Sequence, residues 1–331
     1  MEVTEPTAVS DHVTNPHFDE VRVVWSDDYS GRYEPPPRPY SQRFDLQWKL
    51  ALENYPDYSN HPGVGVDDAY IDDRIYESTG KHPGRDDYQD ASAGSRVLDR
   101  PLDVDLIRDR DCVDIGCGMG CWTRTMQALG VRSVQSLDAS DSALRSVSEV
   151  NERTLQADVM DLPTLHPELV EQFDFACFWG VAMCTHDPRK ALLSAASLVK
   201  PRGSLYLMVY APEGINGRRL TNIQRRAFNR LTTVDARLAY VNHVWEREWD
   251  SAYPLRDNVA NKLRNVLRRP KGGPLGYLDM LQPFYNWVIP LDVIEGWARA
   301  RGFDTMHVLD ESESPKAAYH VLATKGQTSD T

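Results

Sequence analysis

The stretch Asp111 to Thr123, DCVDIGCGMGCWT, constrains this 331-residue chain more than any other. Val113, Asp114 and Ile115 read as a buried parallel strand. Gly116, Gly118 and Gly120, at alternate positions, then turn the chain into a segment of helical spacing, Cys121 to Leu129. Glycine is needed there for two reasons: the turn calls for positive φ, and a side chain would hold a ligand away from the backbone. The expectation is a nucleotide-like ligand lying across this loop.

The rest of the pattern narrows the ligand. The spacing is G-x-G-x-G, not the G-x-G-x-x-G of dinucleotide sites, and no Gly-Lys-Ser/Thr follows to hold a triphosphate. A second strand, Ser133 to Leu137, ends in Asp138, 22 positions beyond Gly116. A carboxylate at that tip is placed to bond a ribose diol, and it is also placed to cap a helix starting near Ser140. A third strand around Thr154 to Gln156 leads to Asp158 and Asp161, which bring a second carboxylate within reach of an adenine amine. A fourth apolar run, Phe173 to Trp179, begins a further strand at the same edge. Glycines, a ribose acid and an adenine acid are present, with nothing basic for phosphate.

In this order VDIGCGMG, SLDAS, ADVMDLP and FDFACFWGV resemble the successive motifs of the class I S-adenosylmethionine-dependent methyltransferases, over roughly 106–210 and again from Pro290 onward. One such motif is weak, but four in register at the ends of four consecutive strands are specific. The resemblance implies an α/β fold, a doubly wound, mostly parallel seven-stranded sheet with S-adenosylmethionine at the carboxyl ends of its strands. Carried over position by position, it implies that Asp114, Gly116, Gly118 and Gly120 border the methionine part. Asp138 would bind the ribose and Asp158 with Val159 the adenine, and Trp179 at the tip of the fourth strand is grouped with them.

Composition limits the alternatives. A net charge of −12 argues against a nucleic-acid groove, which needs a concentrated basic face. No run approaches a membrane span and the first residues lack the apolar stretch of a signal peptide, so a cytoplasmic protein is expected. The five cysteines, Cys112, Cys117, Cys121, Cys177 and Cys184, all fall inside the expected core, as suits a reducing compartment. Cys117 and Cys121 have neither a CxxC partner nor flanking histidines, so they read as small core hydrophobes and no metal is expected.

Along the chain, residues 1–43 read as a polar, extended segment with a short strand at Val21 to Trp25 and a proline run at 33–40 that excludes helix. Residues 44–105 read as a helical cap region. Within it, Phe44 to Leu52 (FDLQWKLAL) alternates like a strand, but its Leu, Gln, Lys and Ala content favours a helix. A second short helix is expected over Asp68 to Thr79, where Tyr70, Asp72, Asp73, Arg74 and Tyr76 either face the acceptor pocket or form a solvated face. A polar linker, 85–96, leads into the core at 106–210. The fifth strand, Ser204 to Tyr210, follows a turn at Lys200 to Gly203. Residues 211–283 then form an insertion read as a helical lid. Its basic segments, 218–230 and 258–269, are more simply outer faces than an anion site, and its aromatic segment is 238–249. The lid is equally suited to a homodimer contact. Residues 284–331 return to the core with a helix, Leu291 to Arg301, and an antiparallel hairpin, Asp304 to Leu309 with Ala317 to Ala323.

The loop after the fourth strand, Gly180 to Pro188, carries the chemistry. Many members of the resembled family have paired histidines where Met183 and Cys184 stand, and this sequence departs from them. His186 is the first candidate base, although His186-Asp187-Pro188 reads more readily as a helix start capped by Asp187; His243 in the lid is the second. Met183, Tyr285 and Trp287 are the candidate acceptor contacts. The expected reaction is methyl transfer to an O, N or C atom of a small molecule, with a protein or peptide side chain, or a scaffold without activity, as the alternatives.

Overall fold

The computed structural model describes residues 102–211, 233–246, 287–309 and 318–327, with the shorter pieces 44–45, 47–48, 223–225, 227–228, 230–231, 278, 281–283, 285 and 311. The expected strand 21–25, proline run 33–40, helix 68–79, linker 85–96 and basic segment 258–269 lie outside the described residues.

Seven strands form one sheet: β1 (Asp111–Ile115), β2 (Ser133–Asp138), β3 (Thr154–Gln156), β4 (Phe173–Trp179), β5 (Val199–Tyr210), β6 (Phe303–Val308) and β7 (Ala318–Lys325). Their order is β3-β2-β1-β4-β5-β7-β6. The first five run parallel, while β7 lies antiparallel between β5 and β6. The order reverses between β1 and β4, so the crevice of this open sheet lies outside their carboxyl ends.

A parallel strand in the middle of a sheet is covered on both faces, and β1 is built for that. Val113 and Ile115 pack into one cluster with Phe178, Leu192 and Ile294; Cys112 enters the opposite cluster with Trp122, Met126, Phe175 and Tyr206. Helix α1 (Cys121–Ala128) covers the second face, and α3 (Pro188–Ser197) and α5 (Leu291–Arg299) cover the first. Between them in sequence lies α2 (Asp141–Ser148) after β2, and within the insertion α4 (Val234–Glu246).

Local signals place most of these ends. Asp187 caps α3 by accepting the Lys190 N–H at 2.8 Å, with Pro188 at the first helical position. Gly302, at φ 82°, ends α5 at Arg299, two residues earlier than the spacing predicts. The cap of α2 is Ser140, whose hydroxyl accepts the Ala143 N–H at 3.2 Å, and not Asp138. Phe44, Asp45, Gln47 and Trp48 are helical, so composition outweighs alternation in that segment. In the insertion, residues 223–225, 227 and 228 are also helical, and Phe228 packs against Tyr240 of α4 with Arg237 over its ring.

The turn expected at Lys200 to Gly203 is a bulge inside β5. Phe173 pairs with Val199 and Phe175 with Ser204, so the extra residues loop out with Arg202 at φ 65°. Nearby, Arg132 Nε donates to Asp111 at 3.0 Å and Lys200 Nζ to Asp174 at 3.1 Å, joining β1, β2, β4 and β5 at their amino ends. The Arg132 guanidinium holds the Asp111 carboxyl down at about 2.

Candidate active site

The carboxyl end of β1 opens into a loop whose three glycines all adopt positive φ: 71° at Gly116, 52° at Gly118 and 87° at Gly120, which precedes α1. Neighbours enforce the absence of side chains. A Cβ on Gly116 would fall 2.3 Å from Val181, one on Gly118 2.8 Å from the ring of Trp48, and one on Gly120 2.9 Å from Val147. The loop is fixed to β2 as well, since the N–H groups of Gly116 and Cys117 both donate to the Leu137 carbonyl, at 2.7 and 2.9 Å.

Asp138 stands beside this loop at the tip of β2, 7% exposed. Its Oδ2 accepts the Gly118 N–H and its Oδ1 the Ser140 N–H, both at 2.8 Å. A carboxylate has about four lone-pair sites, so these backbone donors leave capacity for a ligand hydroxyl. Burial pushes this carboxyl up to about 6, against the lowering pull of those backbone N–H groups.

Asp114 has a different setting. It is buried and held by a relay in which Asn151 Nδ2 donates to Ser136 Oγ at 2.8 Å, and Ser136 meets the Thr123 hydroxyl at 2.8 Å. Thr123 then donates to Asp114 Oδ2 at 2.7 Å. The relay joins β1, β2 and α1 under the glycine loop. Burial drives the Asp114 carboxyl up to about 7, with Thr123 acting in the opposite sense. Among the nearby thiols, burial raises Cys117 and Cys177 well above their usual value and Cys121 to about 12, which keeps them un-ionised.

Beyond β3, Asp158 accepts the Met160 N–H at 3.0 Å and starts the short turn Val159–Asp161, whose Val159 is buried. The Val159 carbonyl takes a short hydrogen bond from Ser194 of α3. Trp179 ends β4, its ring 6.4 Å from that of His320, and its Nε1 is buried with no partner among the described residues.

The loop after β4 and the segment 285–289 are joined directly. The Trp287 backbone N–H donates to the Met183 carbonyl at 2.9 Å and its indole N–H to the Thr185 carbonyl at 2.8 Å. Tyr285 stacks 6.5 Å from Trp287 with the rings nearly parallel, and its ring centroid lies 6.2 Å from that of His186. Burial holds His186 below the ordinary imidazole value, while the charges of Asp158 and Asp187 pull the other way, so the ring is neutral at pH 7 and able to accept a proton. Met183 itself is wholly buried among core side chains, and His243 stands exposed on α4. The structure thus gathers the glycine loop with Asp138, and separately His186, Asp158, Tyr285 and Trp287. Sequence reasoning did not single out Trp48, Asp45, Val181 or the Thr123–Ser136–Asn151 relay as parts of this site; only the packing of the 44–52 segment was signalled.

A family model described as a methyltransferase domain matches residues 88–249, which span the glycine loop, Asp138, Asp158 and His186. This chain contains a class I S-adenosylmethionine-dependent methyltransferase domain. S-adenosylmethionine is the cofactor of this methyltransferase, and its seven-stranded order with an antiparallel β7-β6 pair is that of the class. No curated protein matches the sequence significantly. Similar solved structures include an S-adenosylmethionine-dependent methyltransferase of Thermotoga maritima described as a possible histamine N-methyltransferase. It is 15% identical, with 86% of this chain and 99% of that one covered and a TM-score of 0.41. Another is an S-adenosylmethionine-dependent methyltransferase of Mesorhizobium loti, at 14%, 66%, 93% and 0.39 in the same order. A third is an O-methyltransferase family protein of Burkholderia thailandensis, at 13%, 87%, 73% and 0.41. The assignment of the methyltransferase domain rests on the family model and on the strand order.

The residues fit the cofactor. The positive-φ glycine loop runs beside Asp138, which keeps lone pairs for a diol.

Proposed function

We propose that this methyltransferase acts on an O, N or C atom of a small molecule, a specialised metabolite, held between the glycine loop and the segment around Tyr285 and Trp287. The observation that carries the reading is the double bonding of Trp287 to the carbonyls of Met183 and Thr185, which joins the loop after β4 to the aromatic segment around Tyr285 and Trp287. Stacked aromatic rings suit a small, partly apolar acceptor. The strongly acidic balance of the chain supports the same choice over a nucleic acid.

When bound, S-adenosylmethionine supplies a methyl group on a positively charged sulfur, open to in-line displacement by the acceptor atom. The chain's own contribution is alignment: Asp138 and the glycine loop fix one partner and the Tyr285–Trp287 wall the other, and orientation of this kind can supply roughly 7–11 kcal/mol. Where the acceptor is a hydroxyl, the neutral His186 ring takes the proton that leaves oxygen as the new bond to carbon forms. His243, exposed on α4, is the second candidate for that task. Residues 44–105 act as a cap and 211–283 as a lid that selects the acceptor; the lid also offers a surface for a homodimer. Among the described residues no helix is long and apolar enough to cross a membrane, and we place the enzyme in the cytoplasm.

The test is transfer of a labelled methyl group from S-adenosylmethionine into a desalted extract supplemented with its small-molecule fraction, followed by separation by size, with Asp138→Ala as control. Label in the small-molecule fraction that vanishes with the variant supports the proposal. Label confined to macromolecules replaces it with protein or peptide methylation, and cofactor binding without any transfer points to a scaffold.

A further inference from the structure

We infer that the helical residues Phe44, Asp45, Gln47 and Trp48 are part of the cofactor site, with Trp48 as a roof over the glycine loop that contacts the bound cofactor and Asp45 as the anchor that seats this roof. The inference rests on the assignment of S-adenosylmethionine to the loop. Three contacts tie the segment, some seventy residues upstream in sequence, to the ligand-binding end of the sheet.

The first is at Gly118. The indole of Trp48 lies so close that an added Cβ would meet its Cζ2 at 2.8 Å and its Cη2 at 3.1 Å. Gly118 is the residue whose N–H also donates to the ribose acid Asp138, so the ring lies next to the point where loop and acid meet. The second contact is the Asp45 carboxylate. Its Oδ1 accepts the Ser142 N–H at 2.8 Å and the Ser140 hydroxyl at 3.1 Å. Those residues begin α2, and Ser140 is also bonded to Asp138 through its N–H. The third is Phe44, which packs against the core cluster containing Val159 and Met183. A short helical segment has no reason of its own to hold a fixed position on a glycine loop; a polar anchor on one side and an apolar one on the other supply it.

This arrangement has a chemical use. The sulfonium carries a positive charge, and an indole face is the strongest of the aromatic partners for a cation. The ring also covers the loop at Gly118, and a methyl donor is best kept dry. Asp45 brings a second carboxylate near Asp138, which adds to the rise of that group. A ligand diol that donates to Asp138 relieves that penalty, so roof and cofactor hold each other in place.

The experiment uses the full chain, with S-adenosylhomocysteine and S-adenosylmethionine titrated by calorimetry, and thermal unfolding as the check on folding. Trp48→Ala should weaken both ligands at least tenfold, with a larger loss for the positively charged S-adenosylmethionine than for its neutral thioether product. Trp48→Phe should recover most of the affinity, and Asp45→Asn should weaken both ligands to a smaller and equal degree. Unchanged or tighter binding in a folded Trp48→Ala protein overturns the inference, since the ring would then be a bystander or a plug. Should Trp48→Ala not fold, Trp48→Phe decides through the ratio of the two affinities: a narrowed ratio supports the roof, an unchanged one refutes it. If the unaltered chain binds neither ligand, it is the cofactor assignment that falls, and the roof with it.

Discussion

The two halves of the crevice are made differently. On the cofactor side, Gly116, Gly118, Asp138 and Asp158 lie within about forty residues of one another, and each sits at the end of a strand whose partner strand is next or nearly next in sequence. On the proposed acceptor side, Trp287 reaches back 102 positions to Thr185, in a contact that depends on the chain returning from a long insertion. The first half works through backbone geometry and one carboxylate, and the second through side-chain shape. A site made from contiguous backbone is rigid and serves one ligand, whereas a site assembled from distant segments is free to change its ligand while the sheet stays the same.

The contrast can be broken most directly at Asp138. Asp138→Ala orphans the N–H groups of Gly118 and Ser140 and removes the diol partner, so binding of S-adenosylmethionine and methyl transfer should both fall to background. Loss of two buried hydrogen bonds should also destabilise the fold by roughly 2–5 kcal/mol, measurable by denaturant titration. Cofactor binding that survived in a folded Asp138→Ala protein would remove the basis for treating this half as the cofactor's. Next in size is His186→Gln. For a hydroxyl acceptor kcat should drop by roughly 10²–10⁴-fold, with cofactor affinity changed by no more than about twofold. Equal losses in both would mean that His186 belongs to the cofactor half.

Acidity sharpens the comparison further. Asp138 is raised to about 6 in the folded protein, above its ordinary value, so its ionised form costs stability at pH 7 and that cost is relieved as pH falls through about 6. Two opposite trends are expected in that window. The free enzyme should gain stability relative to Asp138→Asn as pH falls from 7 to 5, while cofactor affinity in the unaltered protein should decline by up to roughly tenfold per unit below pH 6, because a protonated acid no longer accepts from both hydroxyls. A flat affinity from pH 7 to 5 would show that the ribose is held elsewhere. The smallest effect is expected at the amino ends of the strands. Arg132→Ala should shift the denaturant midpoint least of these variants, because Arg132 is 58% exposed and its ion pair is screened. It should leave both ligand affinities alone. The Asp111 carboxyl is held down at about 2, so the contribution of this pair is present above the ordinary carboxylate range and is lost as pH falls toward 2.

The same division governs how much the sequence discloses. β3 and β4 have the bounds that their apolar runs predict, the glycines take the positive φ that the turn demands, and Asp187-Pro188 starts α3 as its chemistry dictates. All these depend on neighbours in sequence. From sequence the bulge in β5 looks like a plain turn because Pro201 and Gly203 signal a break in pairing, and only the partner strand reveals that pairing resumes. In sequence Asp138 fits a cap for a helix starting near Ser140, but the helix starts at Asp141 and Ser140 takes the cap, because its backbone is extended there and its hydroxyl reaches Ala143. Trp48 over Gly118 and Trp287 against Thr185 had no local signal at all, since what defines each is a contact across 70 or more residues.

The position of β7 bears on how the enzyme is made. It is the last strand in chain order, yet it fills an interior slot, so that Tyr206 and His320, 114 positions apart, meet in a buried hydrogen bond of 2.8 Å. While the polypeptide emerges from the ribosome, β5 is an open, strongly apolar edge for the whole time that the insertion, α5 and β6 are being synthesised. β6 has no partner in the sheet until β7 arrives. A non-local closure of this kind is slow and leaves a template for misassociation. Yield in a host cell should therefore depend on chaperone supply and growth temperature more than equilibrium stability would suggest, and a short deletion that removes β7 should abolish accumulation of the protein although it touches neither ligand.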